Sequence, residues 1–275
     1  MSDITVIKAT GEKEPFSEEK LRNSITRAGV PRDLHDAAVS HIKSILYPEI
    51  HTSEIYKHIL EYLSRSPSPH SQARYSLKKA IMDLGPTGFP FEKFIAAILK
   101  KHGYKVDTDV TINGLCIAHE IDVIAQKNDQ KIMIECKFHN KIGNRTDVKV
   151  ALYVFARYQD LTAGWIDRSN TTRFNEVWLV TNTKATQDAV SYARCMSMKI
   201  VSWGYPEYGN LQDLIEADKL HPITCLTNIT NYHKKILLEN NIVLCRDLLD
   251  NQMYIDLLKL SSADEQKLLT ELKAI

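Results

Sequence analysis

The sequence predicts an α/β protein in which helices flank a central mixed sheet, with a mostly helical segment before it and another after it. Three observations support this prediction. Strand and helix patterns are mixed between residues 91 and 203, glycines and prolines interrupt the chain at 85–90, and only helical patterns follow residue 211. Because single domains usually contain ~100–200 residues, a chain of 275 can hold two or three.

The composition is that of an ordinary globular protein, with 44% hydrophobic and 25% charged residues. No apolar run approaches the ~18–20 residues that span a bilayer, and residues 1–10 lack a signal-peptide pattern. Five scattered cysteines without a CxxC pair indicate reduced thiols rather than disulfides. We therefore expect a cytoplasmic protein with no membrane partner. The net charge of +1 means that any nucleic acid must bind a local basic patch.

The first segment, residues 1–86, begins with an alternating run that contains Ile4 and Val6. Gly11 follows this run, and the pattern predicts a small hairpin. Helical patterns come next, one starting at Ser17 and three more at 37–46, 52–63 and 71–84.

The second segment, residues 87–210, follows the strongest linker signal, Gly85-Pro86-Thr87-Gly88-Phe89-Pro90. Its apolar patterns mix the two kinds of element and predict an α/β layer with a partly parallel sheet. Helices are expected at 91–102, 146–160 and 185–197, and strands at 104–112, 117–126, 131–138, 176–181 and 199–203.

The third segment, residues 211–275, shows only helical patterns, at 226–239, 245–249 and from 253 onward. It resembles helix-hairpin-helix modules, which grip DNA phosphates through a glycine turn, but Asn240-Asn241 stand where glycine is needed. Seven basic and ten acidic residues also disfavour independent DNA binding. We expect a packing or protein-interaction module, with its core at Leu237, Leu238, Leu248 and Leu249.

The main chemical signal is the pair of segments His119-Glu120-Ile121-Asp122-Val123-Ile124 and Ile132-Met133-Ile134-Glu135-Cys136-Lys137. Side chains alternate along a strand, so Glu135 and Lys137 share a face, whereas Ile134, Cys136 and Phe138 share the opposite, apolar face. By the same parity Asp122 and Glu120 point together, away from Ile121 and Val123.

The length of the connecting turn decides how these strands pair. With a two-residue loop at Asn128-Asp129, Asp122 lies opposite Glu135 and Glu120 opposite Lys137, with Cβ atoms about 4.5–5.5 Å apart. A longer loop or a bulge would break this register. Facing carboxylates repel unless a positive group separates them, and a hard divalent cation suits oxygen ligands.

Glu92 is a further candidate, because it lies at the edge of the apolar stripe of helix 91–102, next to Leu99. From that edge its carboxylate could reach over the sheet to a metal. A solvated glutamate that stabilises the helix N-terminus is the other interpretation.

A helix Glu, then Asp, then Glu-x-Lys on successive strands resembles the PD-(D/E)XK nucleases, and residues 88–205 are most similar to their Mrr-like restriction endonuclease branch. The resemblance implies that Asp122 and Glu135 bind Mg²⁺, that Lys137 orients or activates the attacking water, and that Glu92 is a supporting acid. Glu120 departs from the pattern, which commonly has a small or neutral residue there. The alternative is a set of surface ion pairs on a solvated strand face.

Two further readings of this region stay open. The loop 139–145 and the helix that carries Lys149, Tyr153 and Arg157 could hold a phosphate backbone, or could be an ordinary solvated face. Two Cys-x-x-His pairs, Cys116 with His119 and Cys136 with His139, could hold zinc only if each pair lies in a turn.

The N-terminal segment resembles the ATP-cone, a regulatory nucleotide-binding domain, over residues 3–84. The likeness rests on Val6-Ile7-Lys8, Gly11, Glu14-Pro15-Phe16, Glu19-Lys20-Leu21, Thr52-Ser53-Glu54-Ile55 and Ala73-Arg74-Tyr75. It implies that Lys8 and Lys20 lie near phosphates, Glu14 near the base or ribose and Thr52 beside them, with ATP or dATP as the ligand. Ala9 and Thr10 replace an arginine and an acidic residue of the family, which removes a bidentate phosphate contact.

Together these patterns predict a Mg²⁺-dependent DNA endonuclease that is regulated by ATP or dATP, that serves in restriction or defence, and that forms a homo-oligomer. A second hypothesis is a nucleotide-sensing DNA-binding regulator with an inactive nuclease fold. A third is an oligomerising scaffold.

Overall fold

The computed structural model describes residues 4–8, 11–27, 30, 32–65, 75–141, 143–168 and 170–275. It confirms an α/β protein whose central mixed sheet is flanked by helices, with helical structure before and after it. Ala9, Thr10, Ala73 and Arg74, which entered the sequence predictions above, lie outside the described residues.

The N-terminal part confirms the predicted hairpin. Strand β1 (Thr5–Ile7) pairs antiparallel with β2 (Lys13–Pro15), and Gly11 turns between them with a φ of 82°. A third strand, β3 (Ile50–His51), pairs parallel to β1. The sequence did not predict β3, because two residues are too few to show an alternating pattern.

The first three helices of this part surround one apolar core, which contains Val6, Ile42 and Leu63, whereas the fourth packs Leu77 and Ile81 in the core of the central sheet. The third helix matches its prediction, whereas the second begins five residues earlier than predicted, in a mostly polar turn whose single apolar residue is Leu34. The described helices are α1 (Glu18–Arg27), α2 (Arg32–Ile45), α3 (Thr52–Ser64) and α4 (Leu77–Met82).

The central sheet has five strands in the order β10-β8-β6-β5-β4. The strands β6, β8 and β10 are parallel, and β4, β5 and β6 form an antiparallel meander, so the predicted partly parallel sheet is confirmed. The strands are β4 (Lys105–Asn113), β5 (Ala118–Lys127), β6 (Gln130–Lys137), β8 (Glu176–Thr181) and β10 (Lys199–Val201), with a separate two-stranded ladder of β7 (Arg145–Thr146) and β9 (Lys184–Ala185).

Helices cover both faces of this sheet. One face packs on α5 (Phe89–Lys101) in a core that includes Phe91, Phe94, Ile134 and Val180. The opposite face packs on α6 (Val148–Ile166) and α7 (Gln187–Cys195) in a second core that includes Met133 and Leu179.

The C-terminal part is helical, as predicted. Its helix α9 begins at Asn231 and not at 226, because the Thr230 side chain accepts a hydrogen bond from His233 N and caps the helix there. Leu237 and Leu248 are buried as expected, but Leu249 is 43% exposed and is not a core residue. The elements are α8 (Leu211–Glu216), a 3₁₀ turn (Ile223–Cys225), α9 (Asn231–Glu239), α10 (Cys245–Asp250), α11 (Gln252–Asp256) and α12 (Ser262–Ala274).

Packing joins this C-terminal part to the sheet. Val243 and Leu244 belong to the α5-side core, together with Leu211 and Ile215. Within the described residues, no helix combines the length and the apolar character that crossing a membrane requires.

Candidate active site

The β5–β6 hairpin has the predicted register. The pairs run from Lys127–Gln130 to Val123–Ile134, with Asn128 and Asp129 in the turn and a φ of 53° at Asn128. The ladder ends one pair before Asp122 and Glu135. Beyond that point a side chain replaces the backbone as the hydrogen-bond acceptor, because Asp122 Oδ2 accepts a hydrogen bond from Cys136 N at 2.7 Å.

Strand β5 changes face at Asp122. Ile121 packs in the core under α6, whereas Val123 packs in the core under α5. The prediction that Ile121 and Val123 share a face is therefore wrong. Asp109, which lies opposite this point on β4, has a φ of 57°, and the β4–β5 ladder skips both aspartates while pairing their neighbours. This left-handed residue interrupts the regular alternation of the two strands.

Glu135 lies under α6 and is only 8% exposed. It accepts hydrogen bonds from the Tyr153 hydroxyl and from the Arg157 guanidinium, the latter at 2.6 Å. Arg157 also donates to the backbone carbonyl of Glu120. Among the described side chains, Arg157 is thus the positive group that contacts Glu135, so this arginine, which the sequence offered for a phosphate contact, is engaged with a carboxylate.

Lys137 follows Glu135 on the same face of β6, while Ile134, Cys136 and Phe138 pack on the α5 side as predicted. Its backbone pairs with Thr181 of β8. The Lys137 side chain is partly buried and forms no ion pair with any described residue. Strand β6 therefore carries, two residues after Glu135, an ammonium group without an ion-pair partner among the described residues.

Glu92 lies in the first turn of α5 and is partly buried, which does not fit the interpretation of a fully solvated glutamate. Gly88 leaves room for it, because a Cβ at Gly88 would come within 3.1 Å of Glu92 Oε1. Burial raises the pKa of Glu92, and the charges of Asp109 and Glu135 raise it further. The helix thus brings a third carboxylate toward Asp122 and Glu135.

Asp122 carries the clearest electrostatic signal. Burial, followed by the charge of Glu135, raises its pKa from 3.8 to about 7, although the hydrogen bond from Cys136 N lowers it. Glu92 adds to the increase and Arg157 opposes it. The site therefore holds more negative charge than its own cations balance, and perturbed groups of this kind are typical of functional sites.

The donor set suits a hard cation. Mg²⁺ is usually held by one or two protein carboxylates together with waters and substrate phosphates, and Asp122 and Glu135 can supply such a pair. Across the described residues, no group of three or more His, Cys, Asp or Glu side chains has the geometry of a metal site. The Cys-x-x-His pairs have other contacts: Cys136 is buried, His139 bonds Thr146 and His119 bonds Asp160.

Asp160 is a structural residue of α6. It accepts hydrogen bonds from Cys116 N at 2.9 Å, from Ile117 N at 3.3 Å and from the buried His119 ring at 2.8 Å. The bond from Cys116 N and then that from His119 lower the pKa of Asp160 to about 2. Asp160 thus ties the β4–β5 loop to α6, a long-range contact that leaves no local sequence pattern.

The loop after Lys137 is held by hydroxyl and amide groups. The His139 ring contacts Thr146 Oγ1 at 2.9 Å, and Thr146 Oγ1 donates to Thr181 Oγ1 at 2.8 Å. The Asn182 side chain bonds both the N–H and the carbonyl of His139, each at 2.8 Å. The end of β6 is therefore fixed against β8.

The residues predicted to bind nucleotide form a separate cluster. Glu14 Oε2 accepts from Lys8 Nζ at 2.8 Å and from Lys20 Nζ at 2.9 Å, and these contacts, with that of Lys8 the larger, lower the pKa of Glu14. Lys8 directly follows β1, and Thr52, the first residue of α3, directly follows β3. Because β1 and β3 pair in parallel, the two residues lie at the same end of neighbouring strands. Thr52 is not joined to Glu14 by any hydrogen bond among the described residues.

Comparisons with known proteins match three successive parts of the chain. Family models match residues 4–83 as an ATP cone domain, residues 86–206 as a restriction endonuclease domain (Mrr_cat) and residues 221–275 as the C-terminal domain of AF1548-like proteins. The class is thus an ATP cone fused to a restriction-endonuclease-like domain, with a helical domain after it.

Relatives place the chain within a family. An uncharacterized protein of Archaeoglobus fulgidus is 37% identical over 154 residues, which cover 56% of this chain and 83% of that protein. The crystal structure of AF1548, a protein of unknown function, is 32% identical with a TM-score of 0.56 and covers 68% of this chain and 97% of its own. The chain therefore belongs to the AF1548-like family.

A third likeness is much weaker. The structure of Can2 from Sulfobacillus thermosulfidooxidans, in complex with cyclic tetra-adenylate, is 13% identical with a TM-score of 0.33 and covers 76% of this chain and 64% of that one. A likeness at this level supports no inference about ligands.

Proposed function

We propose that this protein is a Mg²⁺-dependent DNA endonuclease with its active site at Asp122, Glu135 and Lys137 and with Glu92 as a supporting acid. One observation carries the proposal. Where β5 and β6 stop pairing, the partly buried carboxyl group of Asp122 has a pKa of about 7, which the charge of Glu135 helps to raise. The strand that carries Glu135 also carries Lys137, whose ammonium group has no ion-pair partner among the described residues. The match to a restriction endonuclease domain supports the same activity.

Each residue has a task in this proposal. Asp122 and Glu135 would hold the cation, which when bound supplies positive charge to the phosphodiester oxygens and makes a water molecule more acidic. Lys137 orients the attacking water and faces the negative charge that gathers on the phosphate. Tyr153 and Arg157 hold the Glu135 carboxylate in one position. An enzyme of this kind would serve in restriction or defence against foreign DNA.

We further propose that ATP or dATP regulates the activity through the N-terminal domain. Lys8 and Lys20 are two ammonium groups that can bind phosphates, with Glu14 and Thr52 beside them. In the ligand-free cluster both lysines contact Glu14, so a nucleotide has to compete with these ion pairs. The match to an ATP cone domain supports this part of the proposal.

A plasmid-nicking assay with and without Mg²⁺ tests the catalytic site. We expect Asp122→Asn and Lys137→Ala to lower cleavage by at least about a hundredfold, because each removes a charge that the transition state needs. Asp129→Asn in the hairpin turn and Lys131→Ala on the same strand are matched controls that should keep full activity. The assignment is wrong if both active-site variants cleave at the rate of the unmodified protein and keep its circular dichroism spectrum.

One observation favours the second candidate, a nucleotide-sensing DNA-binding regulator with an inactive nuclease fold. Arg157 and Tyr153 both occupy Glu135, which competes with metal binding there. This candidate predicts DNA binding without cleavage in Mg²⁺ or Mn²⁺, whether or not ATP or dATP is present. A gel-shift assay run beside the nicking assay separates the two.

A further inference from the structure

A cavity of about 410 Å³ lies between the N-terminal domain and the nuclease domain. The N-terminal domain lines it with Lys20 of α1 and with Tyr56 and Tyr75, and Lys78 of α4 is a further lining residue. The nuclease side adds Trp203, which follows β10. Its volume falls within the ~300–1,000 Å³ range of small-molecule sites.

Three aromatic rings and two ammonium groups form half of the lining, and the other half consists of Asn23, Ser24, Leu77, Gln212 and Glu216. The rings of Tyr56 and Tyr75 are stacked, with centroids 5.2 Å apart and planes 23° from parallel. The Lys78 ammonium lies 5.8 Å from the centroid of the Trp203 ring. The Tyr56 hydroxyl is buried and has no hydrogen-bond partner among the described residues, so it is available to bond a polar group of a ligand.

This chemistry selects a ligand with two parts. The aromatic rings that line the cavity favour a planar aromatic group, because ring stacking and cation–π contacts are strongest for such a group. Lys20 and Lys78 favour an anionic group, and phosphate is a good partner for lysine. A nucleoside phosphate combines both features in one molecule.

We propose that the nuclease domain itself forms one wall of the nucleotide site, with Trp203 stacking on or closing over a nucleoside phosphate that Lys20, Tyr56 and Lys78 hold. This inference rests on the nucleotide regulation proposed above and moves the ligand to the cavity, which shares Lys20 with the residues named there, whereas Lys8, Glu14 and Thr52 do not line it. It adds that the ligand contacts both domains at once and does not bind to the N-terminal domain alone.

The position of Trp203 gives such a ligand a short route to the catalytic strand. Trp203 N donates to the Thr183 carbonyl at 3.0 Å, and Thr183 N donates to Thr181 Oγ1 at 3.4 Å. Thr181 pairs with Lys137 across β6 and β8. A ligand that displaces Trp203 therefore pulls on the segment that aligns Lys137.

Intrinsic fluorescence of the full-length protein tests the proposal without any need for nuclease activity. The chain has three tryptophans, Trp165, Trp178 and Trp203. Titration with ATP or dATP should change the emission of the unmodified protein. We expect this change to disappear in Trp203→Phe and to persist in Trp165→Phe, the matched control on α6.

Calorimetry of the same variants measures affinity. We expect Lys78→Gln to bind ATP or dATP roughly tenfold more weakly, a change of about 1.4 kcal/mol, since the variant lacks the ammonium group that would bond to the phosphate. Lys79→Gln, whose ammonium is exposed and paired with Asp83, should bind as the unmodified protein does.

The possible failures are distinguishable. If ATP or dATP binds but Trp203→Phe keeps the full fluorescence change and Lys78→Gln keeps full affinity, the nuclease domain forms no wall of the site and this inference is overturned while nucleotide regulation stands. If neither nucleotide binds the unmodified protein, both the regulation and the inference are wrong. The plasmid assay decides the nuclease activity separately in either case.

Discussion

At Asp122 several influences act on one carboxyl group. Burial and the charges of Glu135 and Glu92 favour its protonated form, and the hydrogen bond from Cys136 N favours its ionised form. The former prevail and raise the pKa of Asp122 to about 7. At neutral pH the metal-free protein therefore spends part of its time with this residue protonated, and a bound cation would reverse that preference.

This shift predicts a pH-dependent stability. Because the pKa of Asp122 is about 7 in the folded protein and about 3.8 in an unfolded chain, the folded state binds more protons between these values. Its contribution is therefore unfavourable to folding as the pH rises from about 4 to 7, by at most roughly 4 kcal/mol. In EDTA, we expect Asp122→Asn to unfold at higher urea concentration than the unmodified protein at pH 8, to lose most of that advantage at pH 5 and to lose all of it near pH 4.

Asp129→Asn is the control for this experiment, because its carboxyl group lies in the exposed hairpin turn. An Asp122→Asn variant that is no more stable than the unmodified protein at pH 8 would show that the carboxyl group is ionised there without penalty. The proposed electrostatic conflict at the site would then be wrong.

The register of β5 and β6 could be predicted from the sequence because it depends only on the length of the turn between them. Asn128-Asp129 indicated a two-residue turn, and the observed pairs have that register. It did not predict that Tyr153 and Arg157 contact Glu135. Those side chains come from a helix 18 and 22 residues further along the chain. Their approach depends on how α6 crosses the sheet, which no local pattern records.

At the scale of elements, α6 and the β4–β5 loop approach each other unusually closely. A Cβ at Gly164 of α6 would lie 2.6 Å from the backbone carbon of Gly114, and a Cβ at Gly114 would lie 2.0 Å from Asp160 Oδ2. Both glycines are needed for the contact through which Asp160 holds the loop.

This contact predicts that Gly164→Ala destabilises the protein, by roughly 1–3 kcal/mol from overpacking. Helix propensity alone predicts the opposite sign, since alanine is about 1 kcal/mol better than glycine inside a helix. Urea unfolding measures the difference. Ala156→Gly, at an exposed position of the same helix, should show the ordinary propensity effect, and a gain in stability for Gly164→Ala would rule out the close approach.

Regular elements with a strong apolar period were predicted well from the sequence. The strand at 176–181 has the observed bounds because it is a short, continuous buried run, and the helix at 52–63 nearly has them because Ile55, Ile59 and Leu63 recur at the helix period. The failures have local causes. The two-residue strands β3, β7 and β9 show no period, and α6 continues to Ile166 because its last turns pack Leu161 and Gly164 and not a regular apolar stripe.

At the scale of the whole molecule, one apolar core lies within a single sequence segment, whereas another contains residues from all three segments. The N-terminal core contains buried residues from Val6 to Leu63. The α5-side core of the sheet begins with Leu77 of α4 and ends with Leu244 of the C-terminal part. The boundaries at 86/87 and 210/211 remain predictions, and the packing joins α4 and the C-terminal part to the nuclease domain.

This arrangement predicts two unfolding transitions in calorimetry. The N-terminal core should melt as one unit, and the sheet should melt together with the C-terminal helices, because cooperative units follow shared cores. Ile59→Ala should lower only the first transition and Leu244→Ala only the second, each by about 2–5 kcal/mol for a buried large-to-small change. Both side chains are fully buried, so the two substitutions are comparable in kind. ATP or dATP should raise the first transition directly, since a ligand stabilises the unit that binds it. If either variant shifts both transitions equally, the two cores unfold as one, and the N-terminal domain is not a separate sensor unit.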